Sequence, residues 1–103
     1  MARPYSQKFI DAARDGDTRR VGIELARQCI AANLPAKYVA HALGVSRATI
    51  HNWFRGRILR GRNEEIALAF MRLVKQDRES GVLPANTIQD AKAYIEDMIG
   101  KKI

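Results

Sequence analysis

Residues 36–56 read AKYVAHALGVSRATIHNWFRG, and their spacing describes two short helices joined by a tight turn. Val39 and Leu43 are four apart, on one face of a helix at ~3.6 residues per turn. Ala40 lies beside them and is small enough to let another helix approach. Gly44 follows as the residue that takes a left-handed backbone without steric cost, which is how a helix stops. Val45 points back toward the core. Ser46 is an N-cap residue whose hydroxyl accepts from an otherwise unpaired backbone N–H of the next helix. Ile50 and Trp53, three apart, form the inner flank of that helix, and Gly56 marks its end. Arg47, Ala48, His51, Asn52 and Arg55 fall on the opposite flank. Pro35 opens the first of the two helices, where its missing N–H costs nothing.

With the G-V-S…I…W-F-R-G run at Gly44–Gly56 as its most specific part, the segment resembles helix-turn-helix DNA-binding proteins of the Cro and phage-repressor type. A looser likeness extends over roughly 21–75 as a four-helix domain. The resemblance implies that the second helix, 47–55, enters the major groove. It assigns Arg47, Ala48 and Asn52 to base edges, Arg55 to phosphate, and Ala36 and Lys37 to the sugar–phosphate backbone. Many relatives carry glutamine at the base-reading positions and this chain has none there, so no relative's operator carries over.

The side chains themselves suggest the same chemistry. Arginine donates two hydrogen bonds to guanine O6 and N7, and asparagine pairs with adenine N6 and N7, which suits Arg47 and Asn52. Ala48 offers a methyl group to thymine, and His51, one turn after Arg47, reaches a base or a phosphate. Each has a plainer role: a phosphate clamp for Arg47, helix propensity for Ala48, a solvated surface for His51 and Asn52. Phosphates are assigned to Lys37, Tyr38, Ser46, Thr49, Arg55, Arg57, Arg60 and Arg62. Thr49 lies at the edge of the outer flank. Trp53 belongs with Ile50 in the core rather than on an unpaired base, and Phe54 is either core or a partner surface. The stretch Met1–Lys8, with Arg3 and Lys8, is a candidate minor-groove arm or a frayed end.

Charge is concentrated where this reading needs it. The chain has 103 residues and a net charge of +7. Residues 1–63 hold 12 Lys or Arg against 4 Asp or Glu, whereas 64–103 hold 6 against 7. Five arginines and no acid lie within 47–62. Such a field attracts a polyanion and makes binding salt-dependent through counterion release. Length and a hydrophobic share of 47% indicate one folded domain spanning 1–103. The longest apolar run, Ile66–Met71, is six residues, against the ~18 a membrane span requires. Neither a secretory leader pattern at Met1–Ala13 nor a second cysteine to pair with Cys29 is present, which suits a cytoplasmic protein.

Along the rest of the chain, apolar periodicity predicts an all-α fold of about five helices: a Cro-like four-helix core with added N- and C-terminal helices. A first helix over Tyr5–Asp15 buries Phe9, Ile10 and Ala13 and stops at Gly16. A second, Thr18–Asn33, has Asp17 as a cap and a stripe of Val21, Leu25, Ala26, Cys29 and Ile30. Asn63 caps a helix carrying Glu64 and Glu65 in its first turn, with Ile66, Phe70, Leu73 and Val74 inward and Gly81 at its end. The last runs over about 87–99, opened by Thr87 and Asp90 as a capping box, with Ile88, Ala91, Ile95, Met98 and Ile99 as its apolar face. That face packs against the first helix or the one beginning near Glu64, or else forms a homodimer interface.

Enzyme chemistry has little footing. His41, His51 and Cys29 show no metal-ligand spacing, and no phosphate-cradling glycine pattern occurs. No cofactor or small-molecule ligand is expected. The expected function is sequence-specific binding of double-stranded DNA, as a transcriptional regulator and as a homodimer at least on DNA. Two alternatives stay open: a phage accessory DNA-binding protein for genome packaging or recombination, and an inhibitor that binds a host protein.

Overall fold

The computed structural model describes residues 5–15 and 20–103, with the side chains of 12–15 left out. The described residues form six helices and no strand: α1 Gln7–Asp15, α2 Val21–Ala32, α3 Ala36–Leu43, α4 Arg47–Phe54, α5 Arg62–Glu79 and α6 Ile88–Ile99. The total is one more than the expected figure of about five, although the segments read individually from the sequence, two of them within 36–56, are the six observed. The expected burial of Ala13, the stop at Gly16, the cap at Asp17 and the arm residue Arg3 lie outside the described residues.

α2 is the hub, packed by α1, α4 and α5, and α3 bridges α4, α5 and α6. The sequence explains why α2 can hold this position. Leu25, Ala26, Cys29 and Ala32 recur at helical spacing and are fully buried. Asn33 takes the left-handed conformation at φ 62° and closes the helix, a role asparagine fills when glycine is absent. Its side-chain amide donates to the Ala85 carbonyl at 2.9 Å, and Ala85 N–H donates to the Ala32 carbonyl at 3.0 Å. The segment between α5 and α6 is thereby tied to the end of α2, with Leu83 and Ala85 buried.

α1 begins at Gln7 rather than Tyr5, after Ser6, whose hydroxyl accepts from Phe9 N–H at 3.2 Å. Tyr5 is instead part of the packing. Its hydroxyl donates to the Leu34 carbonyl at 2.8 Å, and its ring stacks on Phe9 at 5.2 Å. Both rings meet Phe54 at about 6 Å, so Phe54 is core.

Three further expectations are corrected. Asn63 is not the cap of α5: Gly61, at φ 57°, precedes the first helical residue Arg62, and Asn63 lies inside the first turn. Pro35 caps α3 rather than opening it, and α3 starts at Ala36. On α5 the buried stripe is Ala67, Phe70 and Val74, while Leu73 is 45% exposed and Ile66 is half-buried. Ala67 and Val74 are seven apart with Phe70 between them, the spacing of one helix face; Leu73 lies ~100° round from Val74.

α6 opens as expected, with Thr87 Oγ1 accepting from Asp90 N–H at 3.0 Å. Its stripe packs chiefly on α3, and Tyr94 also joins it to α5, one of the two partners expected, by donating its hydroxyl to the Asp77 carboxylate. Ala91 and Ile95 are fully buried in the chain's own core, and Ile88 at the helix start is left exposed. Those two buried positions do not form a dimer face. No helix among the described residues is long and apolar enough to cross a membrane.

Candidate nucleic-acid interface

α4 is held at both ends and along one side. Gly44 adopts φ 68° and closes α3, and two residues later Ser46 starts α4, its hydroxyl accepting from Thr49 N–H at 3.1 Å. Only three residues, Gly44, Val45 and Ser46, separate the helices, so the direction of α4 is set by the left-handed turn and the cap together. Ile50, Trp53 and Phe54 are 0–5% exposed and fasten α4 to the core. No side chain in that anchor carries a charge.

The opposite side of α4 is polar and open. Arg47, Ala48, His51 and Arg55 are exposed, and Asn52 is half-buried at the margin. Positions 47, 48, 51, 52 and 55 span ~140° of the helix at ~100° per residue, so the side chains expected to read bases and the Arg55 guanidinium share one face. Thr49 falls on the flank, as expected of its position; its hydroxyl pairs with that of Ser46 at 3.0 Å.

Beyond Gly56 the chain runs through Arg57, Ile58, Leu59 and Arg60 into α5. Leu59 is 5% exposed and pins this loop, whose arginines remain exposed. Arg62 is exposed at the first position of α5, so it is a helix residue rather than part of the loop. Ile58, 60% exposed among these arginines, was not anticipated. Among the described residues, Arg47, Arg55, Arg57, Arg60 and Arg62 make no side-chain hydrogen bond or ion pair. A guanidinium carries five donors, and these remain available to an anion. Lys37 and Tyr38 sit in the first turn of α3, the lysine ammonium 4.9 Å from the tyrosine ring centroid.

Two residues outside the expected set position α4. The Arg20 guanidinium, just before α2, donates to the Gly56 carbonyl at 2.6 Å and so holds the chain leaving α4. Gly22, in the first turn of α2, lies against the Trp53 backbone so closely that any Cβ there would overlap the carbonyl. A glycine within an otherwise helical stripe was the available signal for that approach; nothing in the sequence singled out Arg20.

Scanned against known families, the chain matches no family model, and comparisons with curated proteins and with solved structures returned no match.

Proposed function

We propose that this protein binds double-stranded DNA sequence-specifically, laying α4 into the major groove, and acts as a transcriptional regulator of the Cro and phage-repressor kind. One observation carries the reading: α4 has one flank buried among apolar side chains and the other open, bearing arginines that have no partner among the described residues. An eight-residue helix is ~12 Å long, comparable with the ~12 Å width of the major groove.

In this proposal Arg47, Ala48, His51 and Asn52 face base edges. Arg55, with Lys37 and Tyr38 at the start of α3 and Ser46 and Thr49 at the cap of α4, meets phosphates; so do Arg57, Arg60 and Arg62. Phosphate contacts fix register and base contacts carry sequence. Two copies on a palindromic site extend the short stretch that one helix reads. The longest extent of the molecule, 30 Å, suits two side-by-side copies with α4 helices ~34 Å apart, one duplex turn.

Selection of bound sequences from a random duplex pool tests the proposal. It predicts a consensus with two-fold symmetry. A pool that stays random after repeated rounds, with binding retained, contradicts sequence specificity; a pool with no bound fraction contradicts DNA binding.

A further inference from the structure

A second surface lies along the seam of α2 and α5. Glu24, Gln28 and Ala31 line it from α2, at i, i+4 and i+7, on the half of the helix turned away from Gly22 and hence from α4. From α5 come Leu68, Met71, Arg72 and Lys75, then Arg78 and Glu79. Two cavities, about 380 and 460 Å³, share Lys75 as a wall and continue one another down to Leu83 and Pro84.

The floor is apolar, and the rim carries Arg72, Lys75 and Arg78 with Glu24 and Glu79. Leu68 is 39% exposed although it is a large aliphatic residue beside the half-buried Met71. Arg72 and Lys75 are exposed and make no side-chain hydrogen bond or ion pair among the described residues. The carboxylate of Glu24 is already engaged, accepting from Gln28 at 3.3 Å, and Gln28 in turn accepts from Arg78 at 3.3 Å. A bond from a neutral amide leaves the Glu24 charge in place, so the seam sets Arg72, Lys75 and Arg78 against Glu24 and Glu79 and is positive by one. Arg72 and Lys75 are the cations that have no partner among the described residues. From Leu68 to Glu79 the seam runs ~16 Å, about three turns of a helix laid alongside.

We propose that this seam docks an amphipathic helix of a partner protein, with an apolar row on Leu68 and Met71 and carboxylates against Arg72 and Lys75. Charge complementarity selects the occupant. Cations alone would serve a phosphate chain, but an apolar floor between them is used only by a ligand that is itself apolar on one side. Because the seam and the outer flank of α4 lie on opposite sides of α2, the partner and a duplex bind without excluding one another.

The full chain is titrated with a labelled synthetic peptide of about three helical turns, leucines on one side and glutamates flanking them, and with the same peptide carrying lysines in place of glutamates. Saturable one-to-one binding of the glutamate peptide alone is expected. It weakens about tenfold in the Arg72→Glu, Lys75→Glu double variant, as loss of two exposed ion pairs allows, and also weakens in Leu68→Gln. All three positions are exposed, and an unchanged melting temperature verifies folding. Arg55→Ala leaves peptide binding unaltered. Absence of saturable binding, equal binding of the lysine peptide, or loss in Arg55→Ala overturns the proposal. Reduced duplex affinity in the double variant also overturns it, assigning the seam to nucleic acid; unchanged duplex affinity leaves the reading of α4 untouched by any failure here.

Discussion

Gly22 and Trp53 approach so closely that the Trp53 carbonyl occupies the space a β-carbon on residue 22 would need. The contact brings the backbone of α2 against the last turn of α4, and with Arg20 on the Gly56 carbonyl it fixes where the open flank of α4 points. Gly22→Ala forces the two helices apart. Because the obstructing atom is backbone and cannot rotate away, the expected loss is at the upper end of overpacking, ~3 kcal/mol. Urea unfolding measures it; a stability equal to that of the parent removes this contact from the account.

Ser46 is expected to contribute through its cap alone. Ser46→Ala leaves one N–H of α4 unpaired and costs ~1 kcal/mol, whereas Ser46→Asp, which restores an acceptor at a helix N-terminus, recovers most of it. Thermal melts of both variants decide the matter. Equal losses would show that the hydroxyl pair with Thr49, rather than the cap, supplies the stabilisation.

The register of α5 separates two neighbouring residues. Val74→Ala in a fully buried site is expected to cost ~1–3 kcal/mol, and Leu73→Ala, at 45% exposure, within ~0.5 kcal/mol. A larger loss at Leu73 in chemical denaturation would mean the helix is turned by one residue from the orientation described.

Alkaline pH acts on two buried groups. Burial pushes the Tyr5 phenol and the Cys29 thiol well above their usual ranges, so the folded chain keeps both protons where the unfolded chain releases them. Their contribution is complete below the ordinary thiol and phenol values, ~8.5 and ~10, and is lost as pH rises past them. The unfolding free energy is expected to fall between about pH 8 and pH 11. The fall is shallower in Tyr5→Phe, Cys29→Ala, and an identical pH slope in that variant contradicts this origin.

Much of this fold is legible from residue type because local chemistry leaves few options. Gly44, Ser46 and Thr87 occupy the turn and cap positions their backbone and hydroxyl groups suit, and Ile50 and Trp53 lie on the buried side. The misreadings share a cause. Leucine at 73 looks more like core than alanine at 67, yet burial follows which face meets α2, and a small residue lets that helix approach. That α3 is the main partner of α6 was likewise illegible, since an apolar stripe says that something covers it and not which helix does. Arg20 was missed because its role depends on a carbonyl 36 residues away. In the candidate interface, the exposure of Arg47, His51 and Arg55 follows from helical periodicity once Ile50 is inward. The exposed Ile58 does not, because a loop has no periodicity to read.

The loop after α4 gives a prediction in salt. Arg57→Ala and Arg60→Ala are each expected to weaken binding to every duplex alike and to lower the slope of log affinity against log salt by about 1. Titrations across a range of ionic strength read both quantities, and a slope that stays constant takes these arginines off the phosphates.

The most direct measurement compares Arg47→Ala with the parent chain on two labelled duplexes, one carrying the selected consensus and one its scrambled sequence. The parent is expected to favour the consensus by at least ~10³. Arg47→Ala loses ~1–3 kcal/mol on the consensus and little on the scrambled duplex, with relaxed preference at one base pair. Equal losses on both would move Arg47 to a phosphate. No binding by the parent chain to either duplex at low salt would contradict the account at its centre.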